Sequence, residues 1–131
     1  MQRKNNQKPT KKKLDRDCLE LWARCIKTVQ KTCRNCNSDY LLQAHHIREK
    51  SRGHATRYAL SNGLTLCAKC HSLQKFRPEQ FHDMIISIIG HAEYERLKEM
   101  SKAIVSYKVQ DLIELKECLT KRLAALKEEW G

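Results

Sequence analysis

Glycine and proline are scarce in this chain of 131 residues, with 4 and 2 copies, and no long low-complexity tract interrupts it. A charged fraction of 31% beside 40% apolar residues then excludes a wholly disordered protein and supplies a modest core for one domain. Long apolar runs are missing too. None approaches the roughly 20 residues that cross a bilayer, and the lysine-rich first residues lead into no signal-peptide core. A soluble chain of the cytoplasm with no membrane partner is expected. An even number of cysteines is also lacking: seven cannot all pair within one chain, and in a reducing compartment thiols serve metals or packing.

Acidic residues are rare in the first part of the chain. Residues 1–77 carry 18 Lys and Arg against 5 Asp and Glu, whereas residues 78–131 carry 8 against 10. The whole excess behind the net charge of +11 falls on the first part. A surface of that sign attracts polyanions, nucleic acid above all, through phosphate neutralisation and counterion release. A tail that only keeps the protein soluble is the plainer reading of charge taken alone.

Residues 1–13, with six basic residues, no acid and a proline, read as a flexible basic arm. From residue 14 a helix is expected, because Leu14, Cys18, Leu21, Trp22, Cys25, Ile26 and Val29 fall on one face. Cys18 and Cys25 belong to that apolar stripe and pack as small hydrophobes. Between Cys33 and Phe76 the helical period disappears, and short apolar pieces at Tyr40–Leu42 and Leu64–Leu66 predict two strands between turn residues. Pro78 opens and Gly90 closes a helix over 79–89. Further helices are expected over Ala92–Ile104 and Val109–Trp130, the last packing on the chain's own helices. Cys118 has no partner spacing and receives no role. The organisation is an arm at 1–13, a core at 14–78 and a helical extension at 79–131, in the α+β class.

Cys33-Arg-Asn-Cys36 and Cys67-Ala-Lys-Cys70 are two C-x-x-C pairs. Each spacing lets one tight turn present two thiolates, and two such turns complete a tetrahedral S₄ shell that suits zinc. Four protein ligands leave no open position, so this Zn²⁺ is expected to be structural. Metal binding of this kind contributes about 10–16 kcal/mol in small domains, the order of help a loop so poor in apolar residues needs.

Between the knuckles stand Ala44-His45-His46-Ile47 and Ser61-Asn62-Gly63-Leu64, and His71 follows Cys70 directly. Two adjacent histidines on an extended strand point to opposite faces, so they cannot serve one purpose. One can hold a cation while the other faces a water, the division of labour that metal-assisted phosphodiester hydrolysis requires.

The tandem His45-His46, the Asn62 five residues before Cys67, and the His71 after Cys70 resemble the HNH endonuclease motif over about residues 33–76. That resemblance implies a zinc-stabilised ββα-metal core flanked by an N-terminal helix and C-terminal helices. It implies His45 as first metal ligand, His46 as general base, Asn62 as the residue orienting loop and base, and His71 as second metal ligand on the α element. Where many relatives carry another histidine this chain has Lys75, so water or substrate oxygens complete the shell. Mg²⁺ or Mn²⁺ is the implied catalytic ion, and an imidazole-rich site also accepts Ni²⁺ or Zn²⁺. Arg48, Arg52, His54 and Arg57 lie in the long loop and are expected to contact phosphate or stabilise the leaving group, with solvated loop charges as the plainer reading.

Arg57-Tyr58, Asn62-Gly-Leu-Thr-Leu-Cys67, Pro78-Glu79-x-Phe81, Ile89-Gly90 and Tyr94-Glu-x-Leu97 are similar to the phage recombination proteins of the NinG (Rap) type. This implies a phage or prophage nuclease in a bacterial host, acting on branched or recombining DNA as a monomer or weak homodimer. Beside the nuclease reading the residues leave open a non-catalytic zinc-finger module that binds nucleic acid or serves as an adaptor.

Overall fold

The computed structural model describes residues 8–49 and 55–131. The Thr10 hydroxyl accepts a hydrogen bond from the Lys13 amide at 3.1 Å and so caps helix α1, Lys11–Val29. Lys11–Lys13 therefore belong to the helix and not to the arm, since a threonine N-cap followed by lysines of good helix propensity starts it there. The apolar face expected from the sequence is the buried one: Leu14, Cys18, Trp22, Cys25 and Ile26.

That face packs along the last helix, α5, Val109–Trp130, whose buried stripe is Leu112, Leu119 and Leu123. The Cys18 and Cys25 thiols lie on the carbonyls of Leu112 and Leu119 at 3.6 and 4.0 Å. Both cysteines are core residues, and burial pushes both thiols up from their ordinary pKa.

Strand β1, Leu42–His46, pairs antiparallel with β2, Gly63–Cys67, placing His45 opposite Leu64 and His46 opposite Gly63. The first strand starts where the expected one ends, at Leu42, and takes in both histidines. Leu41, at φ 51°, and Asn37, at φ 65°, keep the preceding chain in turns, so extension begins only after them. All five residues of β2 are buried. Its second edge is closed by Gln30, just past α1, which donates to Gly63 O at 3.1 Å and accepts from Thr65 N at 2.8 Å. Gly63 is required by close approach: a Cβ there would lie 2.3 Å from Ile26 Cδ1 and 3.0 Å from Trp22 Cζ2.

Helix α2, Ala68–Phe76, follows β2 directly and completes a ββα unit. Its Cys67 cap holds residues 68–76 in a helix where no helical period was visible. Helix α3, Pro78–Ile89, and helix α4, His91–Met100, join at Gly90, whose φ of 89° suits glycine. The expected continuation of α4 to Ile104 does not form: after Ser101 the chain passes into turns, with Lys102 N donating to Glu99 O at 3.1 Å and Ala103 N to Met100 O at 3.2 Å. One core gathers Leu64, Leu66, Phe81 and Ile85 around Cys33, Cys67 and Cys70; a second joins Leu14, Cys18, Tyr58, Leu112 and Leu119. The class is α+β, as expected. Among the described residues no helix is long and apolar enough to cross a membrane.

Candidate metal centre and active site

The turn at 33–36 and the start of α2 bring four sulfurs together: those of Cys33, Cys36, Cys67 and Cys70 all lie within 4.8 Å of one another. The Cys36 and Cys67 sulfurs are 3.6 Å apart, close to the roughly 3.8 Å edge of a tetrahedron with Zn–S bonds of about 2.3 Å. Donors already face the sulfurs. The amides of Cys36 and Cys70 point at Cys33 Sγ and Cys67 Sγ at 3.5 and 3.4 Å, and Asn35 Nδ2 at Cys70 Sγ at 3.3 Å. Such donors stabilise thiolates, so donor type, number and spacing all fit structural zinc.

This sulfur cluster fixes the start of α2 against β2, and thereby brings His71 to His45 across the unit. His45 Nδ1 and His71 Nε2 are 3.1 Å apart. Two ligands each about 2.0–2.1 Å from one ion, at angles from square to tetrahedral, lie about 2.9–3.4 Å from each other. The pair thus has the spacing of one edge of a metal shell. Burial, with the neighbouring His71 and His46 adding to it, pushes the His45 pKa down to about 4, and burial lowers that of His71. Both rings are accordingly neutral at pH 7 and carry the lone pairs a cation needs. Phe81 of α3 stands edge-on to His45, with centroids 5.1 Å apart, and supplies part of that apolar wall. Among the described residues no third His, Cys, Asp or Glu joins the pair as a ligand group.

Gln43 completes the arrangement. It lies two residues before His45 on the same strand face, and its Oε1 accepts from His71 Nδ1–H at 2.5 Å. That bond fixes the His71 tautomer and leaves Nε2 as the ligand atom.

His46 faces the other way. Its ring is stacked on Trp22, with centroids 3.8 Å apart and planes 12° from parallel. Its Nε2 lies 3.0 Å from the Arg57 carbonyl. A carbonyl only accepts, so Nε2 carries the hydrogen and Nδ1 is the basic atom of the neutral ring.

Asn62, fully buried, spends its side chain on the intervening loop. Its Oδ1 accepts from Arg48 N at 2.8 Å, and its Nδ2 donates to the carbonyls of Arg48 and Thr56, both at 3.1 Å. It is a clamp on the chain beside the histidines, holding the loop through backbone groups of Arg48 and Thr56.

The expected phosphate contacts divide. Arg57 is braced by Asp15 of α1, through Nε and Nη2 at 2.8 and 2.7 Å, and Tyr58 OH donates to the same carboxylate. Its role is a brace between helix and loop, because the α1 acid already occupies its fork. Arg48 lines a cavity of about 380 Å³ together with His45, Gln74, Phe81, His82 and Tyr94. Arg52 and His54 lie outside the described residues.

Gln43 and Trp22 were missed in the sequence. Gln43 was accessible from strand alternation, once the strand was known to reach His46. Trp22 carried no such signal, because its helical spacing reads equally as core.

Residues 31–77 match the family model for HNH endonuclease. That span contains all four cysteines of the cluster as well as His45, His46, Asn62 and His71, while Trp22 and Asp15 lie before it. Neither the curated proteins nor the solved structures contain a match to the chain.

Proposed function

We propose that this HNH endonuclease domain hydrolyses phosphodiester bonds of DNA with the aid of a divalent ion, Mg²⁺ or Mn²⁺ in the first place. The observation that carries the reading is the 3.1 Å approach of His45 Nδ1 and His71 Nε2, two neutral imidazoles held between a strand and a helix. When bound there, a cation supplies positive charge to the phosphate. His46 takes a proton from water at Nδ1 while its Nε2–H stays on the Arg57 carbonyl. The water oxygen bonds to phosphorus as the leaving oxygen departs and is protonated by solvent. Asn62 and Trp22 hold the loop and the ring in place. Zinc on the four cysteines keeps the scaffold folded and takes no part in the step. The basic first 77 residues support nucleic acid as the partner.

The finer reading is a phage or prophage nuclease of the cytoplasm for branched or recombining DNA, monomeric or weakly dimeric; it rests on the sequence similarity to recombination proteins alone. A second reading, a non-catalytic zinc module on nucleic acid, is favoured by one observation: among the described residues the histidine pair has no third protein ligand of its own.

Purified protein incubated with supercoiled plasmid and with a four-way junction, in Mg²⁺, in Mn²⁺ and in EDTA, separates the two. Metal-dependent nicking supports the nuclease, and preference for the junction supports the finer reading. Salt-sensitive binding with no product in any metal supports the module.

A further inference from the structure

Helices α3 and α4 lie beyond the HNH segment, yet they enclose the cavity on which His45 opens. Arg48 is the cation on that wall. Its backbone is clamped from below by Asn62, and its side chain is held from above by α4. Arg48 Nη1 donates to Tyr94 OH at 3.1 Å, and Arg48 Nε to Ser101 Oγ at 3.3 Å. The guanidinium carbon sits 5.9 Å from the centre of the Tyr94 ring, and His82 meets that ring edge-on at 5.1 Å. Tyr94 is thereby wedged between α3 and Arg48.

The holders are neutral oxygens. Among the described residues no carboxylate lies within ion-pair distance of Arg48, although Glu49 shares the cavity wall. Among the described residues two of its five N–H donors are used, by Tyr94 and Ser101, and no acid pairs with it, in contrast to Arg57, whose fork closes on Asp15. A guanidinium oriented in this way by neutral acceptors matches the geometry of a phosphate, which takes two parallel N–H donors.

We propose that Arg48 grips a backbone phosphate of the nucleic acid next to the His45–His71 pair, and that Tyr94 and Ser101 are positioning residues acting through it. The α3–α4 hairpin is then part of the substrate site and not only its support. The location rests on the nuclease reading, whereas the grip itself does not depend on cleavage.

The test is the affinity of the zinc-loaded full chain for a 20-base-pair duplex at a series of salt concentrations, without added divalent ion. Removing one phosphate contact lowers the log–log salt slope by about 0.9. Arg48→Gln is expected to show that loss, with Kd raised about 10-fold or more. Tyr94→Phe keeps the ring against His82 but removes the acceptor. Kd should rise about threefold in the parent and not at all in the Arg48→Gln background, since contacts acting through one residue are not additive.

An unchanged slope in Arg48→Gln overturns the proposal, as does an equal Tyr94→Phe effect in both backgrounds. Should Arg48→Gln lose its zinc or its native circular dichroism, Arg48→Lys carries the test. It keeps the charge without the fork, so an unchanged slope with raised Kd is expected, and a parental Kd overturns the grip. A protein that shows the slope change yet never cuts DNA sinks the nuclease reading and leaves this one standing.

Discussion

Trp22 of α1 and His46 of β1 lie face to face, ring centres 3.8 Å apart and planes 12° from parallel. The indole is itself tied down, donating from Nε1 to Ala59 O at 2.8 Å. With Nε2 of the imidazole on the Arg57 carbonyl, both the plane and the rotation of the His46 ring are determined. A helix outside the HNH segment thus sets the orientation of the proposed base.

Gly63 makes that stack possible, because it is the β2 partner of His46 and a Cβ there would meet Ile26 and Trp22. Gly63→Ala is expected to lose about 1–3 kcal/mol of stability, the usual cost of overpacking a filled core. Chemical denaturation measures the loss, and the nicking rate should fall more steeply than stability alone explains.

Asp15 holds Arg57 through two hydrogen bonds and accepts a third from Tyr58 OH. Asp15→Asn leaves a half-buried guanidinium short of its acceptors and should cost about 1–3 kcal/mol. The same change loosens the carbonyl that holds His46, so activity should drop at temperatures where the variant is still folded by circular dichroism.

Gln43 accepts from His71 Nδ1–H. Partners of this kind are worth about 10–100-fold in metal affinity. Gln43→Leu should therefore weaken Mn²⁺ binding by that factor in a calorimetric titration and leave the zinc content of the four-cysteine cluster untouched.

Loss of that cluster has a different signature. Cys33 is buried beside Cys67, Cys70 and Leu66, and the four sulfurs connect the first knuckle to α2. Cys33→Ser should release zinc, measured with a chromogenic chelator, and lose the native circular dichroism with it, since structural zinc sites contribute folding energy outright.

What was legible in the sequence follows the range of the interactions involved. The α3 and α5 spans came from local period and from Pro78 and Gly90, and the cysteine quartet from its own spacing. The pairing of His45 with His71 came only from the HNH resemblance, because spacing in the chain does not say which histidines meet across a strand and a helix. The start of β1 was not legible, since the turn before it depends on Leu41 adopting a positive φ that side-chain type does not announce. Nor was the difference between Arg48 and Arg57. Both are loop arginines, and only the packing of α1 and α4 decides that one closes on Asp15 while the other rests on Tyr94 and Ser101. The complete burial of Asn62 became visible only in three dimensions.

The most direct test of the account is the Mn²⁺-dependent nicking rate of His46→Ala on supercoiled plasmid, with zinc content and circular dichroism measured on the same sample. Loss of a general base typically lowers the rate by about 10² to 10⁴, so near-complete loss of nicking from a folded, zinc-loaded variant is expected. Nicking at the parental rate from that variant would contradict the assignment of His46 and the hydrolytic site built around it.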